Sequence, residues 1–235
     1  YRRRYVDLIV NEQSRQTFRR RAQVTASLRR FLDQRGYLEI ESPMMQVIPG
    51  GANAPPFITH HNALDINLFM RVAQELYIKR CLVGGFERVY EMNRNFRNEG
   101  LSTEHNPEFT MLEYNEAYLD YVDYMDLTED MLRTVAEEVT GSAVVEYQGH
   151  QIDLGTPFRR LSLGEAVRSH HGTLSESDCK DAAVLRRHLS STGVDSSPNS
   201  DVGELLLEVF EQSVEATLIQ PTFITGHPVS VSPLS

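Results

Sequence analysis

The sequence predicts an α+β protein built on a mostly antiparallel sheet, and three observations lead there. Helical and extended patterns are mixed along the chain without the strand–helix–strand alternation of a doubly wound sheet. Two long extended segments, Arg88–Glu99 and Pro107–Tyr114, flank a polar turn that contains Gly100. Apolar residues make up 40 % of the 235 positions and charged residues 24 %, as in a globular chain with a real core rather than a disordered one.

From Ser14 to Gln34, Phe18, Ala22, Leu28, Phe31 and Leu32 recur at helical spacing, and Gly36 closes that helix. Tyr37–Glu41 alternates as a strand and Ser42-Pro43 stops it. Residues 50–56 are Gly-Gly-Ala-Asn-Ala-Pro-Pro, a loop composition. Short strands are expected around Phe57–Thr59 and Leu68–Arg71, then a helix from Gln74 to Val83 that ends at Gly84-Gly85. Beyond Asp120, helices are expected over Tyr124–Thr140, Lys180–Ser190 and Val202–Thr217. Val144–Tyr147 and Gln151–Leu154 form a small hairpin around Gln148-Gly149-His150. Ser169–Ser177 and Ser190–Ser200 read as polar connections, and Pro221–Thr225 and Val229–Ser232 as closing strands.

The net charge of −10 is unevenly spread: the first 120 residues hold 16 basic and 15 acidic side chains, the remainder 7 and 18. A protein that meets nucleic acid over its whole surface needs basic density everywhere, so any polyanion belongs to the first half. The arginines at 2–4, 15, 19–21 and 29–30 are the densest group, and a solvated helix face accounts for them. No run approaches the roughly 18–20 apolar residues of a membrane span, and the start lacks the apolar stretch of a secretory signal. Two isolated cysteines, Cys81 and Cys179, make neither a disulfide framework nor a zinc ribbon, so a cytoplasmic location is expected.

P-loop, Rossmann, zincin and nucleophile-elbow motifs are absent. His60-His61 and His170-His171 are adjacent pairs that point different ways from an extended backbone, and structural or surface roles suit them better than metal ligation. The hairpin carries the remaining chemistry. Tyr90, Met92 and Phe96 share one parity, with Arg94 the exception, while Glu91, Asn93, Asn95, Arg97 and Glu99 share the other. Phe109, Met111 and Glu113 are in phase on the return segment. Such a polar face calls for water or a ligand. An arginine there can fork two hydrogen bonds to phosphate or carboxylate, a glutamate can accept from an exocyclic amine, and an aromatic ring can stack on a purine.

On these residues the chain resembles a known family. Phe96-Arg97-Asn98-Glu99 through Glu113 looks like motif 2 of class II aminoacyl-tRNA synthetases. Gly84-Gly85-Phe86-Glu87-Arg88-Val89, Asn93–Gly100 and His105-Asn106-Pro107-Glu108-Phe109-Thr110-Met111 are similar to the lysyl-tRNA synthetase branch. Arg4-Tyr5-Val6-Asp7-Leu8, the motif 1 proline Pro43, Pro49-Gly50-Gly51-Ala52, Thr59–Asp65 and Pro221-Thr222-Phe223-Ile224 agree, so the resemblance runs from Arg4 to Leu234.

The resemblance implies a mixed, mostly antiparallel sheet flanked by helices. It also implies a partial catalytic domain over 1–235, with motif 1 at about 30–45, motif 2 at about 88–116, a helical variable region at about 121–217 and closing strands at 221–235. It implies ATP-dependent activation of lysine and transfer to tRNA(Lys), with catalytic residues Arg97, Glu99 and His105. Arg97 would hold the α-phosphate and the substrate carboxylate, Glu99 the adenine amine, Phe109 the ring and His105 the terminal phosphates. Gly51 and Glu75 would hold the lysine α-ammonium, and Glu113 with Asn115 the ε-ammonium.

Two positions depart from the family: Gln74 stands where proline is usual, and Asn115 where tyrosine is usual. The family's anticodon-binding domain, its motif 3 and its Mg²⁺ ligands are expected outside this chain, which is then a fragment inactive alone, with no metal ligands of its own. Motif 1 implies a homodimer. A synthetase paralogue that lysylates a non-tRNA acceptor, and a non-catalytic dimerisation or tRNA-binding module, are the alternatives.

Overall fold

The computed structural model describes residues 3–232, which fall into two compact units divided between Tyr124 and Met125. The first unit opens with helix α1 (Arg4–Val10), which the sequence pattern does not announce because Tyr5, Ile9 and Val10 are exposed. Asn11 separates it from α2 (Glu12–Asp33) and caps α2, its side-chain oxygen accepting from the Gln13 and Ser14 amides. Phe31 and Leu32 are buried at the end of α2, and Gly36 turns the chain with φ +78°. The arginine-rich face is solvated as expected: Arg15 and Arg19 pair with Glu12, and Arg29 with Glu39.

Strand β1 (Leu38–Glu39) is shorter than its alternating sequence because only two residues pair, in parallel, with Val89 and Tyr90. β2 (Met45–Gln46), β3 (Ile58–His61) and β4 (Ile66–Met70) form an antiparallel sheet in the order β2-β4-β3. Helix α3 (Glu75–Val83) leads to the long hairpin of β5 (Arg88–Phe96) and β6 (Glu108–Glu116), which gives a second sheet in the order β1-β5-β6. Val72, Ile78, Val89 and Tyr90 are buried in this unit.

Helix α4 (Tyr121–Thr140) starts three residues earlier than its apolar pattern, because Asp120 accepts from the Val122 and Asp123 amides. In the second unit, β7 (Val144–Tyr147) and β8 (His150–Asp153) pair as expected around Gln148 and Gly149, both left-handed. β9 (Arg159–Ser162) runs parallel to β10 (Thr222–Thr225). Helix α5 (Leu163–His171) begins on a reciprocal Ser162–Glu165 capping box. α6 (Ala182–Ser191) and α7 (Val202–Val209) follow, and α7 widens into a π turn over Phe210–Val214 before a 3-10 turn ends at Thr217. Leu163, Val167, Leu185, Leu189, Leu205 and Val209 make this unit's core.

Four of the six strand pairings among the described residues are antiparallel, in keeping with the expected class, although they divide among four small sheets rather than one. Two expectations need correction. Part of the stretch read as a polar connection from Ser169 is the end of α5. Val229–Ser232 is a turn, not a strand, since the Val231 and Ser232 amides both donate to the Pro228 carbonyl at 3.0 Å. The rest of the expected closing strand, 233–235, lies outside the described residues, as does Arg2 of the basic group.

Three histidines meet at the end of α5. The His171 ring lies 4.3 Å from that of His188 and 4.8 Å from that of His170. Ser213 donates its hydroxyl proton to Val209, so it accepts from His171 Nε2 at 2.7 Å. Burial first, then the His188 and His170 rings, hold the His171 imidazole below its usual pKa. The unfolded chain therefore takes up this proton at higher pH than the folded one. The stabilisation is complete above the ordinary histidine range and is lost as pH falls through it, by at most about 1.4 kcal/mol per pH unit. Thermal melting between about pH 7.5 and 5.5 should show a shallower acid slope in His171→Gln, whose amide can still donate to Ser213; an identical slope counts against this assignment.

Candidate active site

The hairpin register places the candidate residues. Asn95 lies opposite Phe109, Asn93 opposite Met111 and Glu91 opposite Glu113, so these side chains share one face. β5 ends at Phe96, but the Arg97 amide still donates to the Pro107 carbonyl at 2.9 Å, so Arg97 continues the same alternation. Its guanidinium carbon lies 5.3 Å from the Phe109 ring centroid, and Nε is buried without a hydrogen-bond partner. A donor left unmatched in that position fits an anionic ligand.

Glu99 reaches the site differently from its expected place on the strand face. The Asn98 amide donates to the Pro55 carbonyl at 2.8 Å, and Glu99 stands in the loop beyond, exposed. His105 comes from the other side of that loop. Ser102 Oγ lies 2.9 Å from His105 Nδ1 and accepts from the Glu104 and His105 amides, which holds the loop in shape. Arg97, Glu99, His105 and Phe109 thereby line one cleft of about 200 Å³, together with Glu104 and Asn106. A larger hollow of about 560 Å³, bounded by Arg4, Arg21 and Arg94, lies beside it, and Phe109 and Asn106 line both. The smaller cleft holds the acidic, imidazole and unpartnered guanidinium groups together.

A second group lies farther along the same face, about 13 Å from Phe109 at the ordinary rise of a strand. Glu113 is half-buried and hydrogen-bonded to Asn115; burial, then the Glu75 carboxylate, push its pKa up, while Lys79 and Asn115 pull it down. Gly51, with φ +87°, packs on Glu75: a Cβ there would come within 3.3 Å of Glu75 Cβ and 3.1 Å of Ala73 Cβ. Glu75 and Glu113 are thus near enough to act on one another, with Gly51 packed on the first and Asn115 bonded to the second. Gln74, just before Glu75, is fully buried and donates to the Glu91 carbonyl at 2.9 Å and more weakly to the Met111 carbonyl, so the departure from proline ties α3 to both hairpin strands.

The polar face does not depend on water or ligand along its whole length, which corrects the sequence expectation. Glu91 and Asn95 are buried. Arg71, buried on β4's continuation, donates to Glu91 at 2.7 Å, and the Asn95 amide contacts the Met111 sulfur at 3.1 Å. His60 pairs with Asp65 and contacts Asn67 at the surface, while His61 Nδ1 accepts from the Leu64 amide. Among the described residues no group of three or more His, Cys, Asp or Glu is placed to hold a metal ion. Sequence reasoning missed Glu104 and Asn106 in the cleft, Lys79 beside Glu75, and Arg71. For Lys79 the signal was present, a Glu–Lys pair four residues apart on a helix.

Residues 1–235 match the family of class II tRNA synthetases (D, K and N), and the chain belongs to it. Within it, this chain is 56 % identical over all its 235 residues to the lysine–tRNA ligase of Xanthomonas campestris pv. campestris, 55 % to that of Thioalkalivibrio sulfidiphilus and 51 % to that of Edwardsiella ictaluri. The match covers 46 %, 47 % and 46 % of those relatives, so the chain spans about half their length.

Proposed function

We propose that the protein containing this chain is an ATP-dependent lysine–tRNA ligase, and that this chain supplies much of its nucleotide and lysine grip. The single observation that carries the proposal is the convergence of the candidate side chains on one end of the hairpin and its loop. An unpartnered guanidinium, a ring, a glutamate and a histidine line one cleft, and a half-buried carboxylate follows on the same strand. ATP would lie with adenine on Phe109 and its amine toward Glu99, and with phosphates toward Arg97 and His105. Lysine would place its carboxylate at Arg97, its α-ammonium at Glu75 and the Gly51 carbonyl, and its ε-ammonium at Glu113 and Asn115.

Activation is then attack of a lysine carboxylate oxygen on the α-phosphorus, with pyrophosphate leaving; a hydroxyl of tRNA(Lys) next takes the acyl group, breaking the acyl–phosphate bond and releasing AMP. Positioning and charge neutralisation do most of the work, since a carboxylate is already ionised. Selection comes from Glu113, whose half-buried carboxylate is paired directly when the substrate's ammonium arrives. Within this chain the neutralisation is assigned to Arg97. A homodimer in the cytoplasm is the expected working form, and no described helix is long and apolar enough to cross a membrane. ATP–pyrophosphate exchange by the full-length protein, with each amino acid supplied in turn, tests the proposal. Lysine alone should support exchange; exchange driven by another amino acid, or by none, overturns it.

A further inference from the structure

We propose that Lys79 is the resident cation of the empty lysine pocket: its ammonium neutralises the Glu75–Glu113 pair and gives up Glu75 when the substrate's own ammonium groups arrive. Lys79 has this role only if Glu75 and Glu113 hold those two groups, as proposed above.

Three observations meet at this side chain. Lys79 sits one turn after Glu75 on α3 and donates to its carboxylate. Gly51 packs against that same carboxylate, whose Oε2 would lie 3.7 Å from a Cβ at Gly51. Lys79 also acts on Glu113 across the pocket. Of the charged groups that act most on Glu113, Glu75 and Lys79 come from α3 and Glu91 from β5, and Lys79 is the cation among these three. The two glutamates favour protonation of Glu113; Lys79 opposes it. An empty pocket without Lys79 therefore holds a proton on Glu113 more readily, and a protonated Glu113 cannot pair with the ε-ammonium.

The residue type fits a cation that must let go. Of the 23 basic side chains only two are lysines, Lys79 and Lys180. An arginine at 79 would present a rigid fork able to take both Glu75 oxygens, whereas an ammonium on a flexible stem is a point charge that moves off easily. The Lys79 side chain is 54 % exposed against 35 % for Glu75, so a path into water is open to it.

The test is the pH dependence of lysine KM in ATP–pyrophosphate exchange by the full-length protein. Wild-type exchange with lysine checks the proposed function separately from the role of Lys79. In Lys79→Met, KM should fall about threefold below wild type near pH 8.5, where the competitor is gone, and rise above it toward acid pH, where Glu113 takes up a proton more readily in the variant. The two KM profiles cross, and the effect falls on KM rather than kcat. Lys79→Arg keeps the charge and competes harder, so its KM should lie above wild type by a similar factor across the pH range. A Lys79→Met profile parallel to wild type, or matched losses of kcat and KM in both variants, overturns the proposal. If the methionine variant does not fold, Lys79→Gln must show the same crossing.

Discussion

Arg97→Ala in the full-length protein is expected to lower lysine-dependent ATP–pyrophosphate exchange by about a thousandfold or more. The guanidinium is the one group proposed to touch both reacting partners, the α-phosphate and the lysine carboxylate. Its Nε is buried with no hydrogen-bond partner, and the Phe109 ring braces its carbon at 5.3 Å. Alanine leaves two anions to approach one another without the guanidinium that is proposed to bridge them in a partly desolvated cleft. Arg97→Lys retains a charge but loses the planar fork, so it should recover only part of the loss, leaving a deficit of about tenfold to a hundredfold. Stability should change little, because Arg97 contributes no side-chain hydrogen bond that holds the fold and its backbone amide bond to Pro107 survives the substitution. Exchange rates for the three proteins at saturating ATP and lysine decide the matter. An alanine variant within tenfold of wild type removes Arg97 from the reaction centre.

What the sequence shows of this fold depends on how far along the chain each cause reaches. Helices α2 and α3 and the β5–β6 hairpin were legible because their apolar positions repeat over nine or more residues. Helix α1 was not, since most of its apolar side chains face outward. Helix α5 hid behind a serine-rich stretch, although Ser162 and Glu165 spell its capping box. Val229–Ser232 has strand-like residues, but the Pro228 carbonyl takes two amides and folds it into a turn. Local hydrogen bonding there outweighs propensity.

The same distinction separates the site residues. That Arg97, Phe109 and Glu113 share a face follows from parity on two strands and one register, and the sequence contains both. The placement of Glu99 and His105 depends on how Ser102 and Pro55 hold a loop, which no period encodes. The burial of Glu91 was beyond reach for another reason. A glutamate on a polar face reads as exposed until its partner is known, and that partner is Arg71, twenty positions earlier on a different sheet.

Arg71→Met is accordingly expected to cost about 3–5 kcal/mol, the largest stability loss among single changes in the first unit. The Arg71 and Glu91 side chains are 0 % and 1 % exposed. Besides Glu91 at 2.7 Å, Arg71 Nη1 donates to Ser42 Oγ at 2.9 Å and Nε to the Arg94 carbonyl at 2.8 Å. Ser42 in turn donates from Oγ and from its amide to Glu91, at 2.5 and 3.1 Å. The guanidinium therefore joins the segment before β2, the end of β4 and the middle of β5. Methionine fills much of the volume but strands a buried carboxylate whose remaining donors, Ser42 and Asn93, are neutral. Arg71→Met/Glu91→Gln should recover part of the loss, because glutamine carries no charge and its carbonyl can still accept from the Ser42 amide. Denaturant midpoints of the full-length wild type, single and double variants measure the coupling directly. A single variant within about 1 kcal/mol of wild type, or a double variant no better than the single, would show that the pair does not hold these strands together.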